Sequence, residues 1–210
     1  MDAVSFIRQF PLRSFSKGEV LIHDNSSVDS LLAIRDGYVK VVSITDSGAE
    51  RILWIAGRYD LVPAEHLFSS RGTTSYLYTA MTDGSVYDVD KHAFLTEANT
   101  STHMMNQIAR SMSSHYDDLL QKIHTVEQSS VQNKLICGLL YLAERFSADD
   151  TVDFYSLGLP LTHPDIADFL GVTRETTSVE LHKLQAAEAI WYGRNFFIVY
   201  CQKLKQLTGK

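Results

Sequence analysis

Three residues near the end of the chain, Arg174, Glu175 and Ser178, have the types and spacing to read base pairs. They follow Thr173, a good N-cap, so they fall on the first turns of one helix. An arginine offers a bidentate fork to guanine O6 and N7, a glutamate accepts from cytosine N4, and a serine serves either base. Val179 beside them can only touch a thymine methyl. Thr173 and Thr176 add hydroxyls at the helix start. Thr162, Lys183 and Arg194 are suited to phosphate oxygens, contacts that position a protein on a duplex without reading it. The bland alternative is an Arg174–Glu175 pair solvated at a helix start. Covalent chemistry has no foothold, since G-x-S-x-G, G-x-x-x-x-G-K-[ST] and H-E-x-x-H are all missing, and no enzyme is expected. The eight histidines, among them His66, His103, His115 and His124, lack zinc spacing. Cys137 and Cys201 stand far apart without a C-x-x-C partner. No metal is predicted, no cofactor is indicated, and a buried, inert Cys137 is expected.

Two helices and a hairpin must hold these groups. In Leu161-Thr162-His163-Pro164-Asp165, Thr162 takes the N-cap place and Asp165 the capping-box place, and Pro164 is tolerated in the first turn. Ile166, Ala167, Phe169 and Leu170 give the apolar side, Gly171 makes the turn, and a second helix is predicted over 174–186. Apolar runs at 190–192 and 196–199 around Gly193-Arg194-Asn195 predict a hairpin, read as a wing. Upstream, Val131, Leu135, Leu139, Leu142 and Phe146 form one helix face, which 147–150 ends. Before it, Met105, Ile108, Met112, Tyr116, Leu119, Ile123 and Val126 recur every three or four residues, the coiled-coil period. A lone helix would leave that stripe in water, so a second copy of the chain is expected to cover it. The alternative is a helix packed on its own barrel.

The first part of the chain has a different rhythm. Runs at 19–23, 30–34, 38–44, 51–55, 75–81 and 85–88 are β-branched or aromatic, and Asp24-Asn25, Asp36-Gly37, Asp46-Ser47-Gly48, Gly57, Arg71-Gly72 and Asp83-Gly84 divide them. Short strands at regular spacing predict an all-β sandwich or barrel. With 45% hydrophobic and 21% charged residues, the 210-residue chain is not generally disordered, and it can bury one or two cores. No apolar run approaches a membrane span, and the opening residues lack the apolar stretch of a secretory leader, so a cytoplasmic protein without a membrane partner is expected. The net charge of −6 divides unevenly. Residues 1–98 hold 9 Lys/Arg and 13 Asp/Glu (−4), 99–159 hold 4 and 7 (−3), and 160–210 hold 6 and 5 (+1). The weak basic excess coincides with the base-reading candidates.

The stretch from Leu161 to Leu184 is similar to the pattern T-x-x-[DE]-[IL]-A-x-x-[LV]-G-x-[ST]-R-E-T-[VI]-[SG]-R of the Crp/Fnr superfamily of bacterial transcription regulators. Gly18-Glu19 before Val20-Leu21-Ile22, and the run from Leu32 to Val41, resemble the opening strands of that family's cyclic-nucleotide-binding roll. The resemblance implies an α+β protein: a jelly-roll-like double-stranded β-roll sensor over 1–97, a dimerisation helix over 98–126 and a winged helix-turn-helix over 127–210. It implies a homodimer on inverted-repeat double-stranded DNA, with RNA polymerase as a further partner. The departures are chemical. Val179 stands where the pattern ends in arginine. The ribose-binding Gly-Glu pair is Ala64-Glu65, and the phosphate-binding Arg-Ser/Thr pair is Thr74-Ser75. The cysteine cluster of the iron–sulfur branch has no counterpart before Cys137. An effector pocket would draw on Glu65, Arg71, Thr74, Ser75, Tyr76, Tyr78, Leu119 and Leu120, with a ligand other than cyclic AMP. The competing class is a ligand-binding or signalling module with a degenerate DNA-binding domain.

Overall fold

The structure, a computed structural model, describes residues 2–150, 154–193 and 196–208. It divides into two compact units, 1–118 and 119–210.

The first unit opens with helix α1 (Ala3–Ile7), capped by Asp2, whose carboxylate accepts from Ser5 N–H. Eight strands follow: β1 (Leu12–Phe15), β2 (Val20–Ile22), β3 (Ser30–Asp36), β4 (Val39–Ile44), β5 (Glu50–Ala56), β6 (Leu61–Val62), β7 (Leu77–Ala80) and β8 (Gly84–Asp90). They form two antiparallel sheets ordered β1-β8-β3-β6 and β2-β7-β4-β5. Strand β3 shows why the sequence closes this way. Its side chains alternate, with Leu32 and Ile34 in the core they share with Val39, Val41, Tyr78 and Val86. Leu31 and Ala33 point the other way, into a second core with Phe94, Ala98, Met104 and Ile108. A strand buried on both faces reads as a continuous apolar run, as 30–34 does. Gly37 makes the β3–β4 turn at φ +87°, a conformation glycine adopts without strain.

The helical pattern after Phe94 is two helices. Helix α2 (Lys91–Thr100) ends at Ser101, which is extended and begins α3 (Thr102–Glu127), its hydroxyl accepting from Met104 N–H. The seam residues separate on this helix. Ile108, expected to face a second copy, is instead buried in the core beneath α2, and Met105 packs against that core. The rise of the chain out of α2 brings the first turns of α3 down on the sheet. Met112, Tyr116, Leu119 and Ile123 are exposed. His115, beside Tyr116, is held by the roll: its ring meets Trp54 edge-on at 4.2 Å and its Nε2 lies 3.4 Å from Asp60 Oδ1.

The second unit holds α4 (Val131–Phe146), β9 (Ser147–Asp150), β10 (Tyr155–Leu157), α5 (His163–Leu170), α6 (Arg174–Ala186), β11 (Ile190–Gly193), β12 (Phe196–Val199) and α7 (Cys201–Leu207). Its sheet runs β11-β12-β10-β9. The segment 147–150, expected only to end a helix, is therefore a strand, paired with β10. Close approach of α4 and α5 depends on Gly138, where a Cβ would stand 2.9 Å from Leu170 Cδ2.

Candidate nucleic-acid interface

Local chemistry fixes both helices of the motif. Thr162 and Asp165 form the capping box, each closing on the other's backbone N–H, and Gly171 ends α5 in the left-handed region. Thr173 caps α6, its hydroxyl accepting from Thr176 N–H and lying 2.9 Å from the Thr176 hydroxyl. Buried Thr177, Leu181 and Leu184 anchor α6 against α4 and α5, and Ile166, Ala167, Phe169 and Leu170 anchor α5. The opposite side of the first turns of α6 presents Arg174, Glu175 and Val179 to solvent.

The remaining sequence candidates take more occupied roles. Ser178 is half-buried, with its Oγ 2.8 Å from His163 Nδ1. Burial, then the charges of His182 and Arg174, lowers the His163 pKa, so the ring is neutral at neutral pH. The ring also meets Tyr192 of the β11 strand at 5.3 Å and His182 at 6.4 Å. Sequence reading left out His163, although its place beside the N-cap put it at the surface of the motif. The Lys183 ammonium lies 2.7 Å from Glu180 Oε1 and remains largely exposed. Arg194 lies outside the described residues.

The expected effector residues are brought only partly together. Thr74 and Tyr78 are fully buried, and Tyr76 packs against the same core. Glu65 accepts from the Tyr78 hydroxyl at 2.5 Å. Burial, then the Glu65 charge, pushes the Tyr78 phenol up, so it stays a donor. Arg71 and Ser75 are exposed, and so are Leu119 and Leu120. Cys137, expected buried, is only half-buried, and burial raises its thiol pKa, as it does for Cys201.

The cyclic nucleotide-binding domain family matches residues 12–101, and the Crp-like helix-turn-helix domain family matches residues 133–207. Together, in this order, they account for most of the chain. The chain belongs to the Crp/Fnr superfamily of transcription regulators. Electron transport regulator A of Shewanella oneidensis is 26% identical over 200 residues, which cover 94% of this chain and 78% of that protein. FixK2 of Bradyrhizobium japonicum has the same fold with a TM-score of 0.80 at 18% identity, over 94% of this chain and 96% of its own. A CooA variant of Carboxydothermus hydrogenoformans gives 0.78 at 20% identity, over 98% and 90%. Members of this superfamily bind DNA, and α5, α6 and the β11–β12 hairpin are the winged helix-turn-helix of this one. No helix among the described residues is long and apolar enough to cross a membrane.

Proposed function

We propose that this regulator acts as a cytoplasmic homodimer that reads an inverted-repeat site with the first turns of α6 and engages RNA polymerase from there. In this reading residues 1–97 are the sensor roll, 98–126 the dimer helix and 127–210 the DNA-binding domain. The observation that carries it is the division of α6 into two faces: one locked into the core by Leu181 and Leu184, the other holding Arg174, Glu175 and Val179 in solvent. Arg174 forks onto guanine, Glu175 accepts from cytosine and Val179 meets a thymine methyl, while Thr162, Thr173, Thr176, Lys183 and Arg194 serve the phosphates. Two-fold symmetry sets the paired helices about one DNA turn apart. The seam is the exposed part of α3, with Met112, Tyr116, Leu119 and Ile123.

A mobility shift with the DNA upstream of the protein's own coding region, at two salt concentrations, tests the reading. Retardation is specific and weakens with salt. Arg174→Ala loses about 1–3 kcal/mol on the preferred site and relaxes one base position per half-site, whereas Lys183→Ala weakens all sequences alike and flattens the salt slope. Identical behaviour of the two variants reduces Arg174 to a backbone contact. The second reading, a signalling module that no longer reads DNA, draws on Val179 in the place of the pattern's last arginine, and absence of any specific retardation favours it.

A further inference from the structure

A cavity of about 350 Å³ opens between α1, the end of β3 and the turn at 57–60, away from the roll residues considered above. Arg8, Arg35 and Arg58 line it together with Tyr59 and Tyr87, over an apolar floor from α1 and β3. No acidic side chain is among its lining residues, and no carboxylate pairs with any of the three guanidinium groups among the described residues. This concentration of positive charge sits in an acidic part of the chain, where residues 1–98 carry 9 Lys/Arg against 13 Asp/Glu. Like charges gathered without counter-charges repel one another, and an anion between them relieves that repulsion.

The wall of the cavity is held in a conformation its sequence does not favour. Tyr59 has φ +75°, in the left-handed region that a bulky side chain avoids, and is 61% exposed. Two backbone bonds and one to a side chain hold it there: Tyr59 N–H donates to Ile34 O at 2.9 Å, Ile34 N–H to Asp60 O at 2.9 Å, and Gly57 N–H to the carboxylate Oδ2 of Asp60 at 2.7 Å. The ring is thereby displayed at the cavity edge, with the Arg58 guanidinium 4.9 Å from its centroid. The next residue, Asp60, faces His115 on α3, so a ligand against Tyr59 sits one residue from a contact with the long helix.

We propose that this cavity binds a small aromatic phosphomonoester, of mononucleotide size, with the arginines on the phosphate and the tyrosines on the ring. A phosphomonoester carries a charge of about −1.5 to −2 at neutral pH and three acceptor oxygens, a better match to three guanidinium forks than a carboxylate with one charge and two oxygens. The volume lies at the small end of ligand pockets, and the exposed ring of Tyr59 offers an aromatic face.

Isothermal titration of the full chain with AMP, adenosine and inorganic phosphate tests the assignment. AMP gives saturable heat with a dissociation constant below millimolar, and the other two bind at least about tenfold more weakly. Arg35→Ala and Arg58→Ala each weaken AMP about tenfold, the loss expected for one charge-assisted contact. Tyr59→Gly raises the melting temperature by releasing the strained backbone and still weakens AMP, a pairing that a purely structural tyrosine does not give. No saturable AMP heat, or AMP binding untouched by the arginine variants, overturns the proposal. Equal binding of phosphate and AMP also overturns it, leaving a bare anion site. Each readout is independent of DNA recognition.

Discussion

Lys122 has the least comfortable charge in the second unit. Its ammonium lies 3.4 Å above the centroid of the Phe169 ring on α5, enclosed, with no hydrogen-bond acceptor among the described residues. The ring's quadrupole offsets part of the lost hydration, yet burial still pulls the pKa down to about 7. The sign follows from proton counting. Between about 7 and the ordinary 10.5 the unfolded chain binds the proton and the folded chain does not, so stability rises with pH across that window and is lost as pH falls toward 7. Thermal melts should therefore shift upward from pH 7 to 9, and Lys122→Met should remove that slope while stabilising the protein at pH 7 by about 1–2 kcal/mol, less than the full shift because the side chain is partly screened. An unchanged slope in the variant would place the titration elsewhere. Sequence could not show this residue. Between Gln121 and Ile123 it resembles any polar position beside an apolar seam, and its burial comes from Phe169, 47 positions on. The Thr162–Asp165 box, by contrast, was legible because both its hydrogen bonds close within three residues.

Elements whose signals are local were legible for the same reason. Caps, turn glycine and apolar spacing placed α5 and α6 at their observed ends and the β11–β12 pair to within one residue, Gly193 extending β11 instead of joining the turn. Strands that exist only through a distant partner were not: β1 has a weak pattern and is ordered by β8, β6 is two residues long against β3, and β9 and β10 pair across a segment with no apolar alternation. Helices α1 and α7, of 5 and 7 residues, are too short to show a period. Helix α3 lies between these cases. Its period of three and four was visible throughout, but nothing in the period says that Ile108 faces the chain's own sheet while Tyr116, 63% exposed, does not. The break at Ser101 decides it, by setting where the helix leaves the roll. Since Met112, Tyr116, Leu119 and Ile123 are the seam residues left in water, Leu119→Lys should put two like charges across the dimer seam and give monomers in sedimentation. A dimer that survives the change would move the interface off α3.

At the scale of the molecule, the roll matches the cyclic nucleotide-binding domain family over residues 12–101, and its buried groups decide whether a cyclic phosphate has a partner there. A buried phosphate anion needs a fixed cation or a nest of N–H groups, because an unpaired buried charge is costly. Thr74, expected in the place of the family's arginine, is fully buried, its hydroxyl accepting from the Tyr76 N–H at 3.2 Å and offering no charge. Glu65, the survivor of the ribose pair, is held by Tyr78, and Tyr78 is among the largest fully buried side chains. Turning either group toward a nucleotide means breaking that hydrogen bond and reopening the core that Tyr78 shares with Val39, Val41 and Val86. Arg71 is the nearest guanidinium in sequence, and it lies exposed, with its backbone N–H bonded to Ser69 Oγ and its carbonyl to the His66 ring. Titration of the full chain with cyclic AMP and cyclic GMP should therefore give no micromolar binding, and Arg71→Ala should leave any weaker heat unchanged. A micromolar dissociation constant that disappears in Arg71→Ala would mean that the 69–73 segment folds inward around the phosphate, and that the roll still senses nucleotides by a cation supplied from a new place.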